Sequence, residues 1–516
     1  MKTTCGIFKL TISVSVLLFI AISSNAQFIP VGSGSYTTSF PGTDAAGRNS
    51  YPSGTPQVSG VAAGKPVPTN DWWSAVVKND HVSNLFNYPM ALKTTNPGLV
   101  VSYIPWGVYD DQEPVVIGVS GLNASKASVS DYSDWTVTLE WNDGAHQFNA
   151  TSGVAMPFVY FTKQSTDIAQ VQVNLGEVTV SGEMLIIANA RNGADFVVYA
   201  PTGSTWTQSG KVYTSDLNGK NYWSMAMLPQ SLTDLASVAE EYKVFAYVFP
   251  SNTSVSWTYD SNQSVVRTDF IVETQIKEGS NTSILMGLLP HQWANLSADS
   301  PVPDQYSYQS VRGEIKTMAG NSFSVENTFR GILPTLPYLD YYSDGFSPAD
   351  LDAKISLIEN DGLASWTDSY NEGQVMNRLI QTARIAHETG NIEARDKMVA
   401  TIKERLEDWL LAEAGEVAFL FYYNTDWSAL IGYPAGHGQD NNINDHHFHW
   451  GYFIHAAAFM EQFEPGWADQ WGPMVNMLVR DAASSDRADN MFPFLRNFNP
   501  YQGHCWANGF ATFPQG

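Results

Sequence analysis

The chain has 516 residues, enough for about two to four domains that each bury a core of their own. Its formal net charge of −24 argues against nucleic acids and anionic membranes as partners, because both repel a strongly acidic protein. The 16 Trp, 24 Tyr and 26 Phe residues suit either a surface that stacks on neutral sugar rings or an aromatic-rich β-sheet core.

The first 26 residues have the pattern of a secretory signal peptide. Lys2 and Lys9 precede or flank an apolar run at residues 10–22 that is too short to span a bilayer comfortably, and cleavage is expected after Ala26. Loss of the two lysines would change the net charge from −24 to −26 and leave Cys505 as the only thiol. We therefore expect an extracellular or cell-surface protein that is stabilised by its core and not by disulfides.

Residues 27–67 are rich in Gly, Ser, Thr and Pro and show little periodicity, so we predict an extended N-terminal segment. From residue 68 to residue 290 short strands are separated by Gly, Asn, Ser and Pro clusters, with clean alternation at residues 171–175. This spacing predicts an antiparallel β-sandwich that no helix interrupts. Residues 291–346 are interpreted as a small mixed α/β connector.

After residue 347 the spacing of apolar residues changes from two to about 3.6, which indicates helices. Apolar faces run over residues 375–386 and 398–409, and two more follow at 452–460 and 471–482. About five helices are joined by long aromatic and glycine-rich loops, which is typical of an (α/α)6 toroid. Because a complete toroid has roughly twelve helices, residues 347–516 are predicted to form only its N-terminal part.

The densest group of polar and aromatic side chains is the string Asn-Asp-His-His-Phe-His-Trp-Gly-Tyr at residues 444–452. Asp445, preceded by Asn444, is predicted to start a helix, because short polar side chains accept hydrogen bonds from the free N–H groups of a first turn. Polar groups next to an apolar segment are costly to bury unless they are paired. The string is therefore either a hydrogen-bonded corner of the fold or a functional site, and its density favours a site.

Three loops of the helical region share one composition of Asp or Asn, His, and Tyr or Trp. They are residues 366–371, residues 431–440 with the string that follows, and residues 496–509. Such loops suit a groove that stacks sugar rings and binds hydroxyl groups. Glycosidic bonds are cleaved by pairs of carboxyl groups, one acting as acid and the other as base or nucleophile.

Two other chemistries could use this region. Asp445 and the histidines at positions 446, 447, 449 and 455 could bind a metal ion, but their spacing matches no fixed ligand pattern such as HExxH. A serine nucleophile has less support, because the chain has no G-x-S-x-G turn. His455 and Cys505 are better explained as packing residues.

Several strings together resemble glycoside hydrolase family 81, the endo-β-1,3-glucanases or laminarinases. The string at residues 444–452 is the most specific, and its agreement in order with the others makes chance a poor explanation. The resemblance extends from about residue 65 to the last residue and rests on residues 68–70, 290–293, 329–334, 431–434, 444–452, 492–498 and 503–507.

The resemblance implies an N-terminal β-sandwich, a small α/β linker domain and a C-terminal (α/α)6 barrel, in agreement with the pattern of elements. It implies hydrolysis of internal β-1,3-glucosidic bonds with inversion, without a metal or other cofactor, and with Asp445 as the general acid. Trp450 and Cys505 stand where the family more often has Tyr and Ser, and neither change removes a carboxyl group.

We expect the β-1,3-glucan to contact side chains from all three loops. The expected contacts are Asp368, Tyr370, Tyr433, His447, His449, Tyr452, His504 and Trp506. Because a protonated histidine near Asp445 would lower the pKa of the acid, we expect His447 and His449 to be neutral. We expect a monomer with no nucleic-acid partner and no membrane association once the signal peptide is cleaved.

The resemblance implies that the general base is a Glu in a segment of the form Asn-Gln-Glu-Ser, with a further Glu, and the chain ends at residue 516 before such a segment. We therefore expect the 516-residue chain to be incomplete and inactive by itself. The alternative function is a non-catalytic β-glucan-binding protein built on the same scaffold.

Overall fold

The computed structural model of the chain describes residues 28–44, 46–107, 111–230, 232–333, 344–360 and 368–511. The predicted signal peptide, the end of the predicted connector, residues 366–367 of the first polar loop and the chain end at residues 512–516 lie outside the described residues. No helix in the described ranges combines the length and the apolar character needed to cross a membrane.

Two large antiparallel sheets occupy most of the region predicted as a β-sandwich. They follow two N-terminal strands, β1 (Phe28–Val31) and β2 (Gly34–Thr37). The strands of the large sheets are β3 (Leu85–Phe86), β4 (Met90–Thr95), β5 (Gly98–Tyr103), β6 (Val115–Val119), β7 (Ala127–Tyr132), β8 (Thr136–Asn142), β9 (Gln147–Gly153), β10 (Phe158–Lys163), β11 (Ala169–Val173), β12 (Glu177–Ser181), β13 (Met184–Ala188), β14 (Phe196–Tyr199), β15 (Thr207–Ser209), β16 (Val212–Ser215) and β17 (Tyr222–Met227). One sheet has the order β12-β13-β14-β17-β10-β9-β8-β7, and the other has the order β15-β16-β11-β6-β5-β4-β3.

The two sheets share one apolar core. In β8, Val137, Leu139 and Trp141 are buried while the residues between them are half-buried, as the two-residue period of a strand requires. Trp141 Nε1 donates a hydrogen bond to Thr95 O in β4 of the other sheet, at 3.0 Å. The short antiparallel strands predicted for this region are therefore confirmed.

A helix that the sequence analysis did not predict, α1 (Leu235–Tyr242), follows the last of these strands. Asp234 caps it by accepting a hydrogen bond from Ser237 N at 3.0 Å. Val238 and Tyr242 pack with residues from the outer face of the eight-stranded sheet, such as Phe158. The prediction of no helix here was wrong, because eight residues make only about two turns and repeat the 3.6-residue period too few times to give a clear signal.

Residues 248–328 form two smaller sheets that cross the predicted boundary at residue 290. Their elements are β18 (Val248–Asp260), β19 (Val265–Ile276), β20 (Ile284–Leu288), the one-turn helix α2 (Pro290–Trp293), β21 (Ser307–Ser310), β22 (Gly313–Gly320) and β23 (Ser322–Thr328). The orders are β18-β19-β23 and β20-β22-β21, both antiparallel. Phe270 in β19 stacks on Phe323 in β23 with ring centroids 4.6 Å apart. A division at residue 290 would therefore separate strands that share hydrogen bonds and a core.

The described part of the helical region contains five helices, the number that the periodicity predicts. They are α3 (Pro348–Glu359), α4 (Ser369–Glu388), α5 (Ile392–Trp409), α6 (His446–Phe463) and α7 (Trp467–Ala483). Four short strands lie between and after them: β24 (Leu420–Asn424), β25 (Ala429–Tyr433), β26 (Phe498–Asn499) and β27 (His504–Cys505). These strands were not predicted, because none is longer than five residues and their surroundings are loop-like in composition.

The N-terminal segment completes a sheet of the helical region, with the strand order β1-β2-β24-β25. Strand β2 runs parallel to β24, with Thr37 beside Tyr422. Ser35 N donates to Leu410 O, just after the end of α5, at 2.9 Å, and Tyr36 is buried in the same core as α4 to α7. The segment begins with the hairpin β1–β2, and the partner strand β24 lies almost four hundred residues away in the chain.

Helices α4 and α6 pack closely at a glycine. A Cβ atom placed on Gly373 of α4 would lie 2.5 Å from Cβ of Tyr452 in α6, a separation that real atoms do not reach. Only glycine permits this approach, which places the N-terminal part of α4 against the N-terminal part of α6. Gly451 in α6 has no atom within 4 Å of such a Cβ.

We expect Gly373→Ala to lower the free energy of unfolding by about 1–3 kcal/mol, because the added methyl group forces α4 and α6 apart. Gly451→Ala is the matched control and should leave stability unchanged or raise it by up to about 1 kcal/mol through helix propensity. Urea unfolding followed by circular dichroism at 222 nm measures both. Equal stability of the two variants would contradict the close packing of the helices.

Candidate active site

Asp445 stands directly before α6, whose first residue is His446. Its backbone carbonyl accepts hydrogen bonds from Phe448 N at 2.9 Å and His449 N at 3.0 Å, so the helix does start here. The prediction that the Asp445 side chain caps the helix was wrong. The residue has φ 60° and ψ 17°, in the left-handed region, and this turns the carboxylate away from the first-turn N–H groups.

The Asp445 carboxylate is half-buried and makes no hydrogen bond or ion pair with any described residue. Burial raises its pKa above the ordinary value, and the nearby His437 and His446 oppose this effect without cancelling it. A raised pKa keeps a larger fraction of the carboxyl group protonated near neutral pH. This is the direction that a proton donor requires.

The second and third polar loops meet at Asp445. Asp445 N donates a hydrogen bond to Ala507 O at 2.8 Å. Asn444 joins the same two loops, because its Oδ1 accepts from Gly509 N at 2.9 Å and its Nδ2 donates to His437 O at 3.1 Å. The loops that share one composition in the sequence therefore also share a location in the fold.

The first polar loop reaches the same place through the start of α4. The Tyr370 ring lies 4.5 Å from the ring of His437 and 5.7 Å from the ring of Tyr452, measured between centroids. Tyr370 and Tyr452 are half-buried, and His437 is exposed. These rings form an accessible aromatic rim beside Asp445.

Asp368, an expected substrate contact, is instead the cap of α4. Its Oδ1 accepts from Tyr370 N and Asn371 N, both at 3.0 Å, and its Oδ2 accepts from Asn371 Nδ2 at 2.7 Å. An Asp at position 368 is thus explained by its role as a helix cap, because it accepts hydrogen bonds from N–H groups that have no partner within the helix.

The spacing of residues in α6 divides its histidines between two environments. His446, His449, Trp450 and Phe453 follow the i, i+3, i+4, i+7 pattern and are completely buried. His447 lies outside this stripe and is half-buried. His449 was expected to contact substrate, and that expectation is corrected, because its position in the helix turns the ring into the core.

Burial lowers the pKa of His447 to about 4 and that of His449 to about 3. Both rings are therefore neutral near neutral pH, as expected from the sequence. His449 Nδ1 lies 2.7 Å from Ser369 Oγ at the start of α4, so this ring joins α6 to α4.

Tyr433, another expected substrate contact, has 0% exposure. It lies in β25, a strand in which every residue is buried, and its hydroxyl donates to Ser50 O of the N-terminal segment. The expectation is corrected, because a strand covered on both faces leaves this ring no path to a ligand.

His504 and Trp506 lie in the third loop, close to Ala507. Both are half-buried, with ring centroids 5.3 Å apart. Trp506 Nε1 donates to Gln502 Oε1 at 2.7 Å, which fixes the orientation of the indole. Of the expected contacts, Tyr370, His447, Tyr452, His504 and Trp506 therefore keep an accessible surface around Asp445.

A buried ion-pair network beneath the site was missed by the sequence analysis. Asp481 in α7 lies 2.5 Å from His446 Nδ1 and 3.2 Å from Arg496 Nη2, and it accepts from Trp450 Nε1 at 2.7 Å. All these side chains are completely buried. Burial alone would raise the pKa of Asp481, but the charges of Arg496 and His446 hold it below its ordinary value. The available signal was an acidic residue on the apolar face of a helix.

No three His, Cys, Asp or Glu side chains among the described residues are grouped in a way that could hold a metal ion. His446 and His449 each direct a ring nitrogen at a protein partner, Asp481 and Ser369 respectively. His446 and His449 therefore serve contacts within the protein.

The family described as "Glycosyl hydrolase family 81 C-terminal domain" matches this chain over residues 351–516. A glucan endo-1,3-beta-D-glucosidase of Thermobifida fusca is 36% identical over 520 residues, covering 97% of this chain and 67% of that protein. The chain belongs to glycoside hydrolase family 81. A glucan endo-1,3-beta-D-glucosidase of Acetivibrio thermocellus is also 36% identical, over 87% of this chain and 59% of that protein.

A solved structure of a family 81 glycoside hydrolase from Clostridium thermocellum has a TM-score of 0.86 and 34% sequence identity, and covers 95% of this chain and 68% of that one. The family resemblance inferred from the motifs is confirmed. The fold is that of family 81, with several sheets and seven α-helices among the described residues. Both relatives are named glucan endo-1,3-beta-D-glucosidases, and family 81 is a family of glycoside hydrolases.

The lowered pKa values in this family 81 site predict a pH dependence of stability. Below pH 6.5 the unfolded chain binds protons at His447 and His449, whereas the folded protein keeps both rings neutral down to about pH 4 and pH 3. The contribution of these two rings to the free energy of unfolding is therefore fully present above pH 6.5. It falls on acidification, by up to about 1.4 kcal/mol per pH unit for each ring.

We expect His449→Gln to reduce the dependence of the free energy of unfolding on pH between pH 6.5 and pH 5 by the contribution of one histidine ring. Urea unfolding at a series of pH values measures this dependence. Above pH 7.5 the ring is neutral in both states, so the variant and the wild type should show the same slope, which is the internal control. Equal slopes below pH 6.5 would contradict a buried, neutral His449.

Proposed function

We propose that the protein is an extracellular endo-acting hydrolase of β-1,3-glucans with Asp445 as its general acid. One observation carries the proposal. In a family 81 chain, Asp445 presents a half-buried carboxyl group without a hydrogen-bond partner among the described residues, at the point where three polar loops meet. Secretion rests on the signal-peptide pattern of the first 26 residues.

The other carboxyl groups near the loops are occupied or enclosed. Asp368 caps α4, and Asp481 is ionised against Arg496 and His446. Asp440 is buried, with its pKa raised by burial, but backbone hydrogen bonds oppose that shift. A general acid must hold a proton and be able to release it to the glycosidic oxygen, and Asp445 meets both conditions best.

In the proposed inverting mechanism, Asp445 protonates the leaving oxygen while a carboxylate on the opposite side of the sugar activates water. The two groups lie roughly 6.5–9.5 Å apart in inverting enzymes, because the water must fit between the base and the anomeric carbon. The family resemblance assigns this base to a Glu in a segment of the form Asn-Gln-Glu-Ser, and the 516 residues span 67% of the length of the Thermobifida fusca relative. Tests of catalysis therefore use the full-length protein.

The aromatic rim beside Asp445 and the names of the two relatives both support a β-1,3-glucan as the substrate. Tyr370, Tyr452 and Trp506 can stack on the apolar faces of glucose rings, while His447 and His504 can hydrogen-bond to hydroxyl groups. The two relatives quoted above are named for action on 1,3-β-glucan. We further propose that the two large sheets form a β-sandwich and that the five helices belong to an (α/α)6 toroid, as the shared core and the helix order suggest.

Asp445→Asn should keep the binding of laminari-oligosaccharides while kcat on laminarin falls by roughly 10²–10⁴-fold, the usual loss when a general acid is removed. An aryl laminarioside with a good leaving group should lose less, because it needs little protonation. Steady-state kinetics of both substrates and calorimetric binding measure these effects.

Asp440→Asn is the matched control, because it removes a second loop carboxyl group whose pKa is raised by burial. Near-normal turnover of Asp445→Asn, with loss of turnover in Asp440→Asn, would transfer the acid role to Asp440. A full-length wild-type protein that binds laminarin without any turnover would favour the non-catalytic glucan-binding function.

A carboxyl-pair mechanism also predicts how the enzyme responds to chelation. Laminarin hydrolysis by the full-length protein should be unchanged after dialysis against EDTA, because protonation by Asp445 requires no Lewis acid. Activity that disappears with EDTA and returns with zinc would support a histidine-bound metal in place of this mechanism.

A further inference from the structure

Two polar residues from the N-terminal half of the chain lie buried beneath the site. Thr69 has 0% and Asn70 has 1% exposure, although neither residue type is usually found fully buried. Both lie just before a 3-10 turn at Ser74–Val77, on a segment packed against the helical region. Buried polar side chains require partners, and the partners here belong to the loops around Asp445.

The Asn70 side-chain amide binds both loops that carry Asp445. Its Nδ2 donates to Ile443 O at 3.0 Å and to Ala507 O at 3.2 Å. Ala507 O also accepts the hydrogen bond from Asp445 N, at 2.8 Å. One amide group therefore binds two carbonyl groups next to the acid. The first is Ile443 O, two residues before Asp445, and the second is Ala507 O, which also accepts from Asp445 N.

The backbone that Asn70 holds is in an unfavourable conformation. Ile443 has φ 54° and Asp445 has φ 60°, both in the left-handed region, which β-branched residues such as Ile rarely adopt. Such conformations persist only where surrounding contacts determine them. The hydrogen bond to Ile443 O lies between these two positions and is one such contact.

The orientation of the Asn70 amide is set by the buried ion-pair network. Its Oδ1 accepts from Thr69 Oγ1 at 2.7 Å, and Thr69 Oγ1 accepts from Arg496 Nη1 at 3.0 Å. Arg496 is the guanidinium that pairs with Asp481. With its oxygen fixed on Thr69, the amide must direct its nitrogen at the two carbonyl groups.

We infer that Asn70 is a positioning residue for the catalytic carboxyl group: it sets the backbone of Asp445, so the N-terminal half of the chain determines where the acid lies. This inference rests on the proposed role of Asp445 as general acid. Asn70 does not touch the carboxylate, and its effect is transmitted through Ile443 O and Ala507 O.

Asn70→Ala in the full-length protein tests the inference. We expect kcat on laminarin to fall by about 10- to 100-fold with KM within twofold, because a displacement near 1 Å can cost roughly 10²-fold in rate. An aryl laminarioside with a good leaving group should lose much less, whereas a lower fraction of folded enzyme would reduce both rates equally. Hydrogen exchange at the Asp445 amide should become at least about tenfold faster, as the N–H to Ala507 O bond loosens.

Asn49→Ala is the matched control. Asn49 is also buried, and its Nδ2 donates to two backbone carbonyls, Gly42 O at 3.0 Å and Val417 O at 2.5 Å, neither of which belongs to the three polar loops. This variant should keep the wild-type kcat, the wild-type ratio between the two substrates and the wild-type exchange at Asp445.

Asn70→Asp covers the case in which the alanine variant fails to fold, because it preserves the side-chain volume. The ionised form presents oxygens to both carbonyls, whereas the protonated form can still donate one hydrogen bond. Its activity relative to wild type should therefore rise as the pH falls.

Unchanged kcat and unchanged amide exchange in Asn70→Ala would overturn the inference, as would an equal loss on both substrates. If Asp445→Asn remains fully active, the proposed general acid fails instead. Loss of activity in Asp445→Asn together with wild-type behaviour of Asn70→Ala would reject the positioning role alone.

Discussion

The candidate site depends on one buried carboxylate, that of Asp481 in α7. Its Oδ2 is bound by His446 and Trp450 of α6, and its Oδ1 by Leu430 N of β25 at 2.9 Å and by Arg496 of the third polar loop. A charge with no access to water is stable only when its partners are all present, and removing one partner typically costs about 3–5 kcal/mol. Asp481 therefore holds two helices, a strand and a loop in one arrangement.

This arrangement explains why two aspartates near each other in the fold have opposite electrostatic character. Asp481 is surrounded by a guanidinium, an imidazole and N–H donors, which lower its pKa despite burial. Asp445 directly precedes α6, the helix that His446 and Trp450 attach to Asp481. Its carboxylate has no such partners among the described residues, so burial raises its pKa. Environments that push the pKa values of two acids apart are typical of enzyme sites, where one group must stay charged and another must carry a proton.

The site is not built by the helical region alone. Thr37 pairs with Tyr422, and Asn70 binds Ile443, so two points within the first 70 residues are attached to the helical region. Trp73 and Ile443 also belong to one apolar core with the large sheets. The sheets therefore act as a rigid support against which the polar loops are ordered, and functional loops on a rigid scaffold keep their geometry better than loops that stand free.

The sequence by itself determined the features that depend on local composition and spacing. The change from a two-residue to a 3.6-residue period located strands of the large sheets and four of the five helices of the helical region, and the string around Asp445 identified the family. The assignment of Asp445 as the acid came from the same string and stays a prediction. It also indicated that His447 and His449 are neutral, because a protonated histidine beside Asp445 would lower the pKa of the proposed acid.

Tertiary structure alone decided which of these side chains face a ligand. Tyr433 and His449 are enclosed and Asp368 caps a helix, although their residue types suit sugar binding. Asp481 belongs to no motif, and Asn70 belongs to a short string that contributed only to the family resemblance. Both became important through partners dozens to hundreds of residues away. Burial and hydrogen-bond pairing are properties of contacts between distant segments, and a local pattern of residues contains no record of which segments will meet.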